Sequence, residues 1–125
     1  MEKKLIIEML YILEKEINIK FPSLYVRFLS EEVQDKEPYE LITEKEEYIY
    51  IYNIYNIQER NDVYSIQNIE PNYFLIGQNG DIGYFIYVKK NNESDNIYSL
   101  DLGALGSLEM NKEATDIYHL GKYIE

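Results

Sequence analysis

Apolar positions in the first twenty residues recur every three or four residues. Leu5, Ile6, Met9, Leu10, Leu13 and Ile17 are separated by Glu2, Lys3, Glu8, Glu14 and Lys15. That spacing puts the apolar side chains on one face of a helix, so an amphipathic helix is predicted at the amino end. Phe21-Pro22-Ser23 interrupts it. Pro22 suits the first turn of a new helix, where its missing N–H has no intrahelical partner to lose. Leu24, Tyr25, Phe28 and Leu29 give that shorter second helix its own apolar face.

From Tyr39 the period changes to two. Tyr48, Tyr50 and Tyr52 fall on one side and Ile49 and Ile51 on the other, in a run of aromatic and β-branched residues that predicts a strand. The stretch from Glu59 to Asn72 is polar and broken by Pro71, which predicts a connection containing one helical turn. Tyr73-Phe74-Leu75-Ile76 and Tyr84-Phe85-Ile86-Tyr87-Val88 then flank a glycine-rich step containing Asn79-Gly80, the pattern of a β-hairpin. Ile97 to Leu102 supplies a further strand, stopped by Gly103 and Gly106. The tail from Asn111 carries Ala114, Ile117, Tyr118 and Leu120 on one side and predicts a short helix ended by Gly121. Strands in the middle with helices at the ends predict an α+β fold. The expected sheet is antiparallel-rich and mixed, with two N-terminal helices and a short C-terminal helix packed on it.

Composition narrows the picture. With 125 residues and 46% hydrophobic content, one core is expected to serve a single domain over residues 1–125. The absence of cysteine excludes disulfides, thiolate metal sites and cysteine nucleophiles. Met1-Glu2-Lys3-Lys4 leads into an apolar stretch that Glu8 breaks, unlike a secretion signal, so a cytoplasmic location is expected. No apolar run approaches the roughly 18 residues of a membrane span. Membrane association is not expected.

The formal net charge is -11 and is unevenly spread. Glu31 to Glu47 holds eight acids against two bases and so carries about half of it. Such a segment repels nucleic acid and attracts basic partners. Fourteen tyrosines add large rings with polar tips, the side chains favoured as anchors in protein interfaces. A covered strand face is the competing explanation for Tyr48, Tyr50 and Tyr52. Candidate partner-binding residues are therefore Glu31, Glu32, Asp35, Glu37, Glu44, Glu46 and Glu47 for steering, and Tyr48, Tyr50 and Tyr52 for anchoring.

Catalytic signals are weak. The Gly77, Gly80 and Gly83 spacing matches no phosphate-binding fingerprint and reads as a turn with a bulge. His119 is the only histidine and reads as a partly exposed residue of the last helix. No spacing singles out one carboxylate pair among 23 acids.

Three segments resemble the SUKH superfamily, named after yeast cell-wall-synthesis regulators of the Smi/Knr type. Phe21-Pro22-Ser23-Leu24-Tyr25-Val26-Arg27-Phe28-Leu29 is similar to its second helix, and Ile76-Gly77-Gln78-Asn79-Gly80-Asp81-Ile82-Gly83-Tyr84 resembles its glycine-rich strand connection. Ile117-Tyr118-His119-Leu120-Gly121-Lys122-Tyr123-Ile124 is similar to its final helix. The resemblance implies helices packed on a central sheet, with no cofactor, no metal and no catalytic residues. It also implies a role: bacterial members are largely immunity proteins that bind and neutralise a cognate toxin, often a nuclease or deaminase. A regulatory interaction module of the Smi/Knr type is the alternative, and a small carboxylate-dependent hydrolase the third reading.

Overall fold

The computed structural model describes residues 1–121. Helix α1, Lys3–Ile17, buries Ile6, Leu10, Leu13 and Glu14, and ends where Asn18 turns left-handed at φ 60°. The buried carboxylate of Glu14 accepts the N–H of Phe21 at 2.7 Å and so fixes the turn into the next helix. Pro22 is extended and sits just before α2, Ser23–Phe28, which continues into a π-helical turn over Leu29–Val33.

Six strands follow: β1 (Tyr39–Ile42), β2 (Tyr48–Ile51), β3 (Tyr73–Asn79), β4 (Ile82–Tyr87), β5 (Ile97–Asp101) and β6 (Asn111–Ala114). They lie side by side in chain order, and each pairs with the next in the antiparallel sense. Helices α3 (Ile57–Val63) and α4 (Ile66–Ile69) link β2 to β3, and α5 (Ile117–Leu120) closes the described chain. The core lies where the amino-terminal helices meet the sheet. Phe21 packs edge-on against Phe74 at 5.0 Å, and Phe28 packs edge-on against both Tyr39 and Tyr118. Ile49 and Ile51 face this core, fully buried, as the period of two requires.

Three expectations change. The tail from Asn111 begins as strand β6 and becomes helical only at Ile117, so Ala114 belongs to a strand. Its helix-like spacing misled because β6 is an edge strand with three exposed polar residues, which leaves no alternation to read. Leu102 leaves the sheet for a 3₁₀ turn, in which the Asp101 carboxylate accepts the N–H of Gly103 at 2.8 Å. The polar connection after β2 holds two helices instead of one turn.

The reason for those helices lies in the sheet. β2 pairs with β3 only at Tyr50 opposite Gln78 and Ile51 opposite Gly77. The strands come so close there that a Cβ on Gly77 would stand 2.5 Å from the Tyr50 carbonyl oxygen. A bulge between Leu75 and Gly77 follows, and among the described residues no strand lies beside the rest of the β3 edge on that side. Asn61 of α3 takes that place, accepting from Leu75 N at 2.8 Å and donating to Leu75 O at 2.9 Å. Its amide also donates to Ile57 O, Gln67 reaches the Tyr73 carbonyl, and the N–H of Tyr52 reaches Ile76 O. On the other side of β3 the predicted hairpin closes through Gly80-Asp81, with the positive φ of 58° falling on Gly80.

Several tyrosines belong to this core. Tyr25 is 1% exposed, its hydroxyl has no hydrogen-bond partner among the described residues, and burial pushes its pKa up. Burial also raises Tyr52, Tyr73 and Tyr84.

Three outcomes are expected in urea denaturation. Asn61→Ala strands both backbone groups of Leu75 and costs about 2–4 kcal/mol, seen as a lower midpoint at unchanged slope. Tyr25→Phe removes an unpaired buried hydroxyl, so stability holds or rises by about 1 kcal/mol. Because these tyrosines titrate higher in the folded chain than in the unfolded one, the stability they contribute is complete below about pH 10. It is lost as pH climbs from there toward the folded values. Unfolding free energy should therefore fall from about pH 9 to about pH 11, and fall less in Tyr25→Phe.

Candidate partner-binding surface

Strands β1 and β2 form a hairpin whose tip concentrates charge. Thr43 N donates to Glu47 O at 2.9 Å, Glu46 N to Thr43 O at 2.8 Å, and Glu47 N to the Thr43 hydroxyl at 3.2 Å. Glu46 takes a positive φ of 63° to close the turn. These bonds hold Glu44, Lys45, Glu46 and Glu47 exposed at the end of the hairpin, with Tyr48 next to them at 55% exposure.

The tyrosine stripe divides along its length. Tyr48 is open to solvent, Tyr50 is half-buried, and Tyr52, just past the strand end, is 1% exposed. The Tyr50 hydroxyl donates to the Glu37 carboxylate, which also accepts from the Asn56 amide at 2.8 Å. Burial and then Glu37 push the Tyr50 pKa up. The Tyr52 hydroxyl donates to Gln78, and its ring meets that of Tyr50 edge-on at 5.6 Å. Anchoring of a partner by Tyr52 therefore gives way to core packing, while Tyr48 stays available.

The acidic run divides as well. Glu31 bonds to Lys3 and lies 3.6 Å from Arg27, and the Lys3 bond holds its carboxyl below the usual range. Asp35 faces the amino group of Met1 at 3.7 Å, and Glu37 is occupied by Tyr50 and Asn56. Glu32, Glu44 and Glu47 are exposed and have no ion-pair partner among the described residues. The contiguous charge of the sequence is thus divided between acids that have partners, Glu31, Asp35 and Glu37, and exposed ones at Glu32 and at the hairpin tip.

The fold brings to the hairpin tip residues that the sequence reading left out. Thr43, Glu44, Lys45 and Glu47 share a concavity of about 220 Å³ with Tyr84, Glu113, His119 and Leu120. Glu113 accepts the Ser99 hydroxyl at 2.5 Å. His119 Nδ1 lies 3.0 and 2.9 Å from the two Asp116 oxygens, and Asp116 also caps α5 by accepting the His119 N–H at 2.9 Å. Burial raises the Tyr84 pKa, with further contributions from Glu113 and Glu47. No local signal marks Glu113 or Tyr84, because they reach the tip only through strand pairing.

A second, larger concavity of about 520 Å³ is lined by Tyr50, Tyr52, Asn56, Glu59, Arg60, Gln78 and Gly80. Arg60 grips the Glu59 carboxylate with two bonds of 2.9 and 2.8 Å and holds its pKa below the usual range. A general acid needs the opposite shift. Among the described residues no three His, Asp or Glu are arranged to hold a metal ion. No described helix is long and apolar enough to cross a membrane.

No curated protein matches the chain. The sequence profile of the SMI1 / KNR4 family (SUKH-1) matches residues 7–119, from within α1 to within α5. With that match running through all six strands of the sheet, the chain belongs to the SMI1 / KNR4 family (SUKH-1), as a domain of the toxin-immunity or Smi/Knr type.

Proposed function

We propose that this chain is a cytoplasmic immunity protein that binds a cognate bacterial toxin and neutralises it, with the β1–β2 hairpin as its leading contact. The observation that carries this reading is the hairpin tip, where Glu44 and Glu47 stand unpaired among the described residues beside the exposed ring of Tyr48. The toxin that fits is a nuclease or deaminase domain whose cleft is basic because it handles phosphate. Carboxylates entering that cleft take the place of phosphates, and the net charge of -11 draws the two proteins together over long range. Tyr48 supplies an apolar ring at low entropic cost. The turn that carries the acids is already closed by its Thr43 bonds, so little ordering is needed on binding. Glu31, Glu32, Asp35 and Glu37 add to the long-range field, and Tyr50, half-buried in the same strand, is a second ring beyond Tyr48. Family membership supports the class of role, and the charge and ring arrangement supports this mode of performing it.

The test is affinity capture with the tagged chain from its own cells, followed by binding kinetics with the captured toxin. Reversing Glu44, Glu46 and Glu47 to Lys should cut the association rate by about tenfold or more and flatten its dependence on salt. Tyr48→Ala should act mainly on the dissociation rate. Unchanged association kinetics after charge reversal would remove the hairpin from the mechanism. Capture of several unrelated housekeeping proteins instead of one toxin would favour the regulatory Smi/Knr type.

A further inference from the structure

The small concavity beside the hairpin tip is built from distant parts of the chain. Glu44 and Glu47 come from the β1–β2 turn, Glu113 from β6 at the far edge of the sheet, and Tyr84 from β4 between them. None of the three carboxylates has an ion-pair partner among the described residues, although Lys45 lines the same concavity. Glu113 does not swing freely, since the buried Ser99 hydroxyl holds one of its oxygens at 2.5 Å and leaves the other open.

Tyr84 is the second, independent pointer. It is only 6% exposed and lines the concavity, yet its hydroxyl makes no hydrogen bond to any described residue. The hydroxyl is not among the fully sealed ones, so this otherwise buried phenol keeps a solvent-reaching oxygen with which to bond a group held in the concavity. Asp116 is turned toward His119, whose Nδ1 lies 3.0 and 2.9 Å from its two oxygens, and does not line the concavity.

We propose that this concavity, formed by Glu44, Glu47, Glu113 and Tyr84, is a receptor for the guanidinium group of one arginine side chain on the protein partner. This inference rests on the protein-binding reading above and gives that surface a specific chemistry. A bare metal ion fits poorly, as no three acidic or histidine side chains among the described residues are set for its coordination. A guanidinium is a flat cation with five N–H donors pointing outward, matched to several oxygens spread around a small space. Carboxylates offer it paired charge-assisted bonds, and the Tyr84 oxygen is a further acceptor. The volume of about 220 Å³ suits one side chain rather than a peptide segment. Under this assignment the hairpin acids have two duties: Glu46 and the outer faces of Glu44 and Glu47 steer, and the inner cup captures.

The experiment is an NMR titration of the full chain with Nα-acetyl-arginine amide, using Nα-acetyl-citrulline amide as the neutral isostere. The arginine compound should give saturable amide shifts at Thr43, Glu47, Glu113 and His119, and the citrulline compound should not. Tyr84→Phe and Glu113→Gln should each weaken the response about fivefold or more. Glu47→Gln, at an exposed turn that leaves the core untouched, should do the same, and Lys45→Met should strengthen it. Equal shifts with citrulline, or shifts scattered over other surface acids and indifferent to these substitutions, overturn the proposal. A cup that takes arginine in a chain that captures no toxin removes the immunity reading alone. A chain that neutralises its toxin while its cup stays silent removes this inference alone.

Discussion

Asn61 of α3 reaches the edge of β3 and pairs with both backbone groups of Leu75, where β2 has already turned away. Most buried backbone groups in a sheet find their partners in another strand, and an unpaired one costs about 1–3 kcal/mol. A side-chain amide can substitute because it carries a donor and an acceptor side by side, like a peptide group. This substitution lets β2 join β3 at only two positions and then leave the sheet for α3 and α4. The β1–β2 hairpin therefore joins β3 through a short, close junction at Gly77.

Other buried polar side chains hold loops by the same principle. Asn53 accepts the N–H groups of Tyr55 and Asn56 at 3.0 Å and donates to the carbonyls of Asp35 and Lys36, fastening the approach to β1 onto the exit from β2. Glu14 joins the end of α1 to the start of α2. In a chain without cysteine these satisfied amide and carboxylate contacts tie the loops to the elements beside them. The hairpin and the segment before it are thereby set in a defined position relative to β4 and β6, which the concavity at the tip requires.

Electrostatics separates structural acids from available ones. Glu31 and Glu59 are drawn to neighbouring cations, and Glu37 to a tyrosine and an asparagine. Glu44 and Glu47 are left without such partners among the described residues and share a small volume with Glu113. Like charges gathered at one place oppose folding. An arrangement that tolerates them in one cup gains stability when a cation neutralises them.

Local pattern determined much of this protein. The α1 period, the break at Pro22, the alternation through Tyr48 to Ile51 and the glycine hairpin at residue 80 each depend on contacts within a few residues. So does the acidity of the 31–47 segment, and all were legible in the chain. β6 was not, because an exposed edge strand of polar residues has no periodic signature and exists only through its pairing with β5. Nor was α3, whose Asn61 completes a strand edge 14 residues further on. The candidate surface divides in the same way. Residue type alone marked Glu44, Glu46, Glu47 and Tyr48 as candidates. Only the tertiary structure decided that Tyr52 is core, that Glu31 is neutralised, and that Glu113 and Tyr84 join the tip. Those outcomes turn on register and burial between distant strands, quantities that no run of neighbouring residues carries.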